Sequence, residues 1–301
     1  MKTYIDLHTH STASDGSFSP EEIIQAAVKL TSKENNPVFL SLTDHDTVSG
    51  IESFEKAASK YKDRLTAIPG IEISTDYHGV EIHILGYNID RKNPLLLDKL
   101  KRYRDSRDSR NEKIIQKLQG IGIQISMEDI QPEKPGETIA RPHIAKQLMK
   151  KKYVASVQEA FDKYLGNGKS CYVERIMPTP QEAITLIQHC GGTPVLAHLM
   201  LYTKLSSLQK NSMVRELKEA GLIGIETYHS SHSPIDEEYI KSLAKEWGLI
   251  ETGGSDFHGR IKPDVSLFTG KGSMDIPETI LPEFLNQVMV PLEKGKPKAA
   301  Q

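Results

Sequence analysis

The stretch YIDLHTHSTASDGSFSPEEIIQAAVKL, residues 4–30, predicts a β-strand, a polar corner and an α-helix in succession. Its first residues, Tyr4–Leu7, form a short apolar run that is typical of a buried strand. The helix is predicted to start after Ser19, a good N-cap, because Pro20 then takes the first helical position and Glu22 completes a capping box. Such a strand and helix pair is the repeating unit of α/β proteins.

This unit recurs along the chain and gives seven predicted strands in all. The other six strands are Val38–Thr43, Thr66–Ile73, Glu81–Tyr87, Pro194–Ala197, Ile223–Thr227 and Leu249–Thr252. Further helices are predicted at 49–61, at 180–189, up to about Ala220, and at 234–247. The alternation predicts an α/β fold, either a barrel or a doubly wound sheet, and in both the functional groups gather at the carboxyl ends of the strands.

The alternation stops between about Asp90 and Ile176, where helical patterns occur without clear strands. The helices predicted there are Leu95–Gln119, Thr138–Lys150 and Ser156–Leu165, with a loop rich in Pro and Gly at Gln131–Gly136. We therefore expect a discontinuous core domain of residues 1–90 and 177–292, interrupted by a helical insertion at 91–176 that caps the substrate. The end of the chain, residues 293–301, has the composition of a flexible tail.

Basic and acidic side chains nearly cancel in this 301-residue chain, with 38 lysines and arginines against 40 aspartates and glutamates. This balance excludes a general attraction to nucleic acid or to anionic membranes. A local basic run at Lys99–Lys113 predicts either a path for a nucleic-acid backbone or a solvated helix.

The start MKTYIDLHTH lacks the apolar segment of a secretory signal, and Cys171 and Cys190 form no CxxC pair. We therefore expect a cytoplasmic protein with no membrane span and with both thiols buried.

Imidazoles and carboxylates fall mainly at or just beyond the predicted strand ends. His8 and His10 are expected to point to the same side of an extended segment, where they can share one cation. The candidate residues as a group are His8, His10, Asp15, His45, Glu72, His83, His198, Asp256 and His258. Taken singly, each also fits a surface, capping or loop role, but together they predict a polynuclear metal site.

Several other polar residues have less specific positions. His78 and His189 do not follow the strand-end pattern and are expected to be structural or solvated. His229 could hold substrate or metal, or have neither role. Asp44 and Asp46 flank His45 and are expected either to orient its ring or to anchor loops.

Taken together, the motifs HTHSTASDGSFSPEE, SLTDHDTVSG, GIEIS, EIHILGY, AH and GGSDFHG, in this order, resemble the PHP superfamily, named for polymerase and histidinol phosphatase. They are most similar to its stand-alone bacterial phosphoesterase branch, which acts on nucleoside 3′,5′-bisphosphates and on RNA 5′ ends. The resemblance extends through the insertion, including Arg141-Pro142-His143-Ile144. It implies a distorted seven-stranded (β/α)7 barrel with a trinuclear metal centre.

The resemblance also implies roles for individual residues. A first metal would take His8, His10, Glu72 and Asp256; a second would share Glu72 and take His83 and His198; a third would take Asp15, His45 and His258. These would be two to three divalent ions of Mn, Fe or Zn. Glu72 and Asp256 would be catalytic, and Arg141, His143 and His229 would bind substrate. Leu199 departs from the proline that many members have after the ligand corresponding to His198.

Closely spaced divalent cations bind phosphoryl oxygens and lower the pKa of a bridging water, so the implied reaction is hydrolysis of a phosphoester by in-line attack. The expected partner is a small-molecule phosphate ester such as a nucleotide, or a short RNA, with no obligate protein partner. A histidinol-phosphate phosphatase is the alternative within the same enzyme class. A metal-stabilised interaction domain without catalysis is the alternative from another class.

Overall fold

A computed structural model describes residues 2–32, 36–130, 139 and 141–289 of the chain. The predicted loop at 131–136 and the predicted tail at 293–301 lie outside these described residues. Seven strands form one sheet, and each corresponds to a strand predicted from the sequence. They are β1 (Tyr4–Asp6), β2 (Val38–Leu42), β3 (Leu65–Tyr77), β4 (Val80–Tyr87), β5 (Thr193–Leu196), β6 (Gly224–His229) and β7 (Ile250–Gly254).

The strands lie side by side in chain order, and the first and last approach each other. Leu7 N donates to Gly253 O at 3.1 Å, and His10 N donates to Phe257 O at 2.9 Å, so hydrogen bonds also join the two edges of the sheet. The result is a nearly closed barrel of seven strands. The predicted distorted α/β barrel is confirmed.

One strand runs against the others. β4 pairs antiparallel with both β3 and β5, while the remaining neighbours are parallel. β3 and β4 form a hairpin whose two-residue turn, His78 and Gly79, has positive φ angles of 51° and 83°, as such tight hairpin turns require. Because β4 is reversed, its amino-terminal half lies at the rim where the parallel strands end. The sequence patterns did not predict this direction.

Nine helices are present among the described residues: α1 (Pro20–Leu30), α2 (Ile51–Ala58), α3 (Pro94–Gly120), α4 (Arg141–Lys150), α5 (Val157–Ala160), α6 (Pro180–His189), α7 (Ser207–Glu219), α8 (Pro234–Trp247) and α9 (Leu281–Met289). The capping box predicted for α1 is present, because Ser19 N donates to Glu22 Oε2 at 2.7 Å and Glu22 N donates to Ser19 Oγ at 3.2 Å. The predicted helix at 156–165 continues from α5 as a π-helical turn at Phe161–Leu165.

The sequence patterns did not predict helix α9, which covers the end of the barrel opposite the rim where the parallel strands end. Phe284 is fully buried and packs edge-on against Tyr87, with ring centroids 5.3 Å apart. Asn88 Nδ2 donates to Val288 O at 2.7 Å, and Thr193 Oγ1 donates to Gln287 O at 3.0 Å. Because Asn88 follows β4 and Thr193 starts β5, these bonds fix α9 across that end of the barrel.

By compactness the chain divides into one unit of Met1–Leu97 with Pro178–Gln301, and a second unit of Asp98–Met177. The first unit contains the barrel. The second contains most of α3 together with α4 and α5, and has an apolar core of its own. Fully buried members of that core include Ile114, Leu118, Ile144, Leu148 and Leu165.

Both cysteines are free and buried, as the sequence predicted. Cys190 lies at the C-terminal cap of α6, and Cys171 belongs to the core of the second unit. Among the described residues, no helix combines the length and the apolar character that crossing a membrane requires.

Removing the aromatic ring of Phe284 should destabilise the barrel strongly. The Phe284→Ala variant leaves a cavity in a fully buried position, so we expect the free energy of unfolding to fall by about 3–5 kcal/mol. Urea unfolding measures the change. The matched control is Leu208→Ala in α7, whose residue is 82% exposed and should change stability by less than about 0.5 kcal/mol. Equal effects of the two substitutions would contradict the packing described for α9.

Candidate metal centre

The nine candidate ligands converge at one rim of the barrel. They come from the ends of β1, β2, β5 and β7, from the loop after β1, and from the adjacent parts of β3 and β4. Their donor atoms form four groups with all atoms of a group within 4.8 Å: His10, Asp15, His45 and His258; His8, His10 and Asp256; His8, Glu72 and His198; and His45, Glu72 and His83. The structure thus brings together every residue predicted as a ligand.

Glu72 lies at the middle of this cluster and has no exposed surface. Its backbone bonds to the segment after β2, because Asp46 N donates to Glu72 O at 2.9 Å and Glu72 N donates to Asp44 O at 3.2 Å. Five imidazoles reach its two oxygens. Oε2 lies 3.2 Å from His8 Nε2, 3.2 Å from His10 Nε2 and 3.1 Å from His45 Nδ1, and Oε1 lies 2.8 Å from His83 Nδ1 and 2.9 Å from His198 Nε2. A carboxylate placed in this way can bridge two cations.

Two further carboxylates lie at the outer side of the imidazole cluster. Asp15 Oδ1 lies 3.4 Å from His258 Nε2, and its Oδ2 lies 3.8 Å from His45 Nε2. Asp256 Oδ1 lies 3.3 Å from His10 Nε2 and 3.3 Å from His258 Nδ1. Each of the three cation positions implied by the resemblance therefore has at least one carboxylate.

The hydrogen bonding of the cluster fits divalent metal ions. Among the described residues, several buried side-chain atoms that could coordinate a metal make no hydrogen bond, although some lie close to one another. They are His8 Nε2, His10 Nδ1 and Nε2, His45 Nδ1, His198 Nδ1 and Glu72 Oε2. An unsatisfied buried polar atom costs about 1–3 kcal/mol, so a concentration of such atoms indicates a ligand. Imidazole and carboxylate donors are the set that Zn, Mn and Fe take.

The electrostatics of the cluster also favour cations. Burial alone raises the pKa of Glu72, but His45, His8 and His83 outweigh this effect and hold its pKa well below the usual range. Burial lowers the pKa of His45 to about 3 and that of His198 to about 4. For His10 and His83 burial also lowers the pKa, but the surrounding carboxylates outweigh burial and raise the pKa to about 9 and about 10. The negative charge of the carboxylates is thus matched by protons on some of the imidazoles, and a bound divalent cation would displace those protons.

Glu226 in β6 is a residue of the centre that sequence reasoning missed. Its Oε1 lies 2.9 Å from His8 Nδ1, and its Oε2 accepts a hydrogen bond from His198 N at 2.9 Å. The first contact fixes the ring of His8 with Nε2 directed at Glu72. A carboxylate behind a histidine ligand orients the ring and increases its basicity. The available signal was a glutamate inside an apolar strand, since a buried charge requires a partner.

Asp6 and Asp44 hold the loops that carry candidate ligands. Asp6 accepts hydrogen bonds from Ser255 N at 2.8 Å, from Ser255 Oγ at 2.6 Å and from Phe268 N at 2.9 Å; burial raises the pKa of Asp6 to about 6. Asp44 accepts from Ser11 N at 2.7 Å and from Ser14 Oγ at 2.6 Å. These contacts favour the loop-anchoring interpretation of Asp44.

Two candidate ligands have left-handed backbone conformations, His198 with φ 25° and Asp256 with φ 57°. Such conformations cost about 1–3 kcal/mol in residues other than glycine and concentrate at functional sites. Leu199, where the family pattern often has proline, is fully buried and starts a 3-10 turn at Leu199–Leu201. The leucine thus forms part of an ordered turn after His198.

Two more residues of the barrel approach Asp256 Oδ2. His229, predicted as a substrate residue, is buried, and its Nε2 lies 3.5 Å from that oxygen. Lys262, which the sequence reading did not single out, donates from Nζ to the same oxygen at 2.6 Å. Burial lowers the pKa of Lys262, but Asp256 outweighs burial and raises it above the usual value.

Arg141 and His143, the other predicted substrate residues, occupy the first turn of α4 in the second unit. Arg141 Nη1 donates to Leu165 O at 3.3 Å. The guanidinium also lies 5.9 Å from the ring centroid of Phe161 and 5.7 Å from that of Tyr172. Their substrate roles stay predictions.

The remaining sequence candidates lie outside the four donor groups. His78 is in the β3–β4 turn and His189 ends α6, and both are exposed. The basic run at Lys99–Lys113 lies in α3, where Lys101 pairs with Asp105 at 2.6 Å. Exposed pairs of this kind are typical of a solvated helix face.

A nearly closed α/β barrel that carries buried imidazoles and carboxylates at one rim defines a class of metal-dependent hydrolases. Residues 6–169 match the family model described as the PHP domain, and the chain belongs to this family.

Individual relatives agree with this assignment. The 5′-3′ exoribonuclease Rnm of Escherichia coli strain K12 is 35% identical over 253 residues, which make up 84% of each chain. The 3′,5′-nucleoside bisphosphate phosphatase of Chromobacterium violaceum is 32% identical over 277 residues, 91% of each chain. A solved structure of an amidohydrolase from Chromobacterium violaceum with bound sulfate has a TM-score of 0.74 and 29% identity, and the match covers 97% of this chain and 100% of that one.

Replacing Glu226 by glutamine should weaken metal binding. The Glu226→Gln variant keeps the shape but removes the charge that fixes His8, so we expect the affinity for Mn²⁺ to fall by about 10–100-fold. Competition with a fluorescent chelator measures the affinity. Glu251→Gln on β7, which replaces a half-buried glutamate outside the four donor groups, is the matched control and should bind as the wild type does. Unchanged affinity in Glu226→Gln would contradict the assigned role.

Proposed function

We propose that this metal-dependent phosphoesterase hydrolyses phosphate esters of nucleotides, either nucleoside 3′,5′-bisphosphates or short RNA from the 5′ end. The observation that carries the proposal is the convergence of five imidazoles on the buried carboxylate of Glu72. The names of the exoribonuclease and bisphosphate phosphatase relatives support this substrate class. The proposal includes a cytoplasmic location and no obligate protein partner.

The proposed centre holds two to three divalent ions of Mn, Fe or Zn. One position is assigned to His8, His10, Glu72 and Asp256, one to Glu72, His83 and His198, and one to Asp15, His45 and His258. Ions held there would supply Lewis-acid activation of water and neutralisation of phosphoryl charge. Every one of these residues belongs to at least one of the four clusters of donor atoms, and Glu72 belongs to two of them.

Glu72 and Asp256 have distinct roles in the proposed hydrolysis. Glu72 would set the spacing of the first two cation positions, because its Oε2 is directed at His8 and His10 and its Oε1 at His83 and His198. Asp256 directs Oδ1 at His10 and His258, and we assign it the proton of the attacking water. The oxygen of this water forms a bond to phosphorus as the bond to the departing oxygen breaks in line with it, and the departing oxygen takes up a proton from solvent.

Substrate choice is assigned to residues outside the metal cluster. Arg141 offers a planar fork for a phosphate that is not cleaved, which suits a substrate with two phosphates. His143 in the same helical turn is assigned to the same group, and His229 to the phosphate at the metal centre. A histidinol phosphate has only one phosphate and therefore gives such an arginine no partner.

Substitution of a central ligand should abolish turnover. In the His8→Ala and Asp256→Ala variants we expect bound Mn²⁺ to fall and phosphate release from adenosine 3′,5′-bisphosphate to drop by at least about 1,000-fold, as expected when a metal ligand is lost. His189→Ala, at an exposed helix end, is the control. The wild type is assayed in parallel on 5′-phosphorylated RNA and on histidinol phosphate, with and without a chelator. Turnover of histidinol phosphate alone, or metal binding without hydrolysis of any ester, would contradict the proposal.

Arg141 should act on substrates that carry a second phosphate. The Arg141→Ala variant is expected to raise KM for adenosine 3′,5′-bisphosphate by about 10–100-fold, since a hydrogen bond to a charged group contributes about 1.5–3 kcal/mol. Hydrolysis of p-nitrophenyl phosphate should change little, and Lys150→Ala, which removes an exposed cation from the other end of α4, should affect neither substrate. Equal losses on both substrates would refute the assignment.

A further inference from the structure

The ammonium group of Lys262 contacts one of the candidate metal ligands, the carboxylate of Asp256. Its Nζ donates to Asp256 Oδ2 at 2.6 Å. The other oxygen of that carboxylate, Oδ1, lies 3.3 Å from His10 Nε2 and 3.3 Å from His258 Nδ1. Asp256 therefore directs one oxygen at the imidazoles of the candidate metal centre and the other at the ammonium group of Lys262, which has no role in the proposed mechanism.

A second donor group faces the same oxygen. His229 Nε2 lies 3.5 Å from Asp256 Oδ2. The residue is only 2% exposed, and among the described residues this nitrogen has no hydrogen-bond partner. Its Nδ1 accepts a hydrogen bond from Ser231 N at 3.1 Å, so Nε2 carries the ring hydrogen. A buried N–H without an acceptor is costly and indicates a ligand that accepts a hydrogen bond.

The backbone that carries Lys262 is fixed, while the side chain reaches solvent. Arg260 N donates to Ser17 Oγ at 2.7 Å, and Val265 N donates to Lys262 O at 3.0 Å. A Cβ at Gly259 would lie 2.4 Å from Ser17 Oγ, so this turn packs directly on the loop after β1. The Lys262 side chain is 40% exposed, against 10% for Asp256. This arrangement places a cation where a ligand from solvent can contact it.

We propose that Lys262, together with His229, binds the phosphoryl group that is cleaved. The inference rests on the proposed phosphoesterase function and adds a substrate contact to it. The ammonium group has three hydrogen-bond donors, so it can keep its bond to Asp256 and also donate to a non-bridging phosphoryl oxygen. Negative charge on the phosphoryl and departing oxygens is what such a fixed cation stabilises during transfer.

The test compares Lys262→Met with Lys262→Arg and with Arg260→Met, a matched control that removes an exposed cation from the same loop. Metal content is measured by elemental analysis. Binding of inorganic phosphate to the Mn²⁺-loaded proteins is measured by calorimetry. We expect Lys262→Met to keep its metal and to bind phosphate at least about 10-fold more weakly, the loss expected for one charge-assisted hydrogen bond. Lys262→Arg should recover part of the affinity, and Arg260→Met should match the wild type.

Two results would overturn the inference while leaving the proposed function intact. One is phosphate affinity that is unchanged in Lys262→Met. The other is loss of metal in parallel with loss of phosphate binding, which would mean that Lys262 only supports Asp256. A wild-type protein that holds Mn²⁺ but neither binds phosphate nor hydrolyses any phosphoester would instead overturn the proposed function, and this inference with it.

Discussion

The carboxylate of Glu72 has no exposed surface and is surrounded by five imidazoles. A buried charge persists only where partners offset its loss of hydration, and here the partners come from four other strands. His8 and His10 follow β1, His45 follows β2, His83 lies in β4 and His198 follows β5. The buried charge of Glu72 is therefore stabilised only when these strands are correctly placed relative to one another in the barrel.

The reversed direction of strand β4 brings His83 into this arrangement. His83 lies near the start of β4, opposite Ser74 of β3. In a parallel strand, a residue at that point would lie at the far end of the barrel from Glu72. The hairpin instead returns the chain immediately, so Glu72 and His83 approach each other from neighbouring strands. The antiparallel pair distorts the barrel and at the same time supplies two of its metal-binding candidates.

The sequence predicted the strands and the positions of the candidate ligands along them because both follow local rules. Apolar runs locate the strands, and polar residues at their ends locate the rim. The direction of β4, the orienting role of Glu226 and the reach of Lys262 depend on contacts between distant segments, which no local pattern records. Helix α9 is a different case, since its buried residues Leu281, Phe284 and Val288 have helical spacing that could have been recognised.

The seam between β1 and β7 joins the two ends of the barrel sequence. Asp256 N donates to His8 O at 2.9 Å, so a candidate ligand near the start of the chain is bonded to one that follows the last strand. Contacts between residues so far apart close a long loop, which has an entropic cost that local contacts do not have. During synthesis, His8 and His10 emerge long before Asp256 and His258. The complete donor set therefore exists only after the seventh strand has closed on the first, and closure of the fold is the step that makes the chain competent to bind its metals.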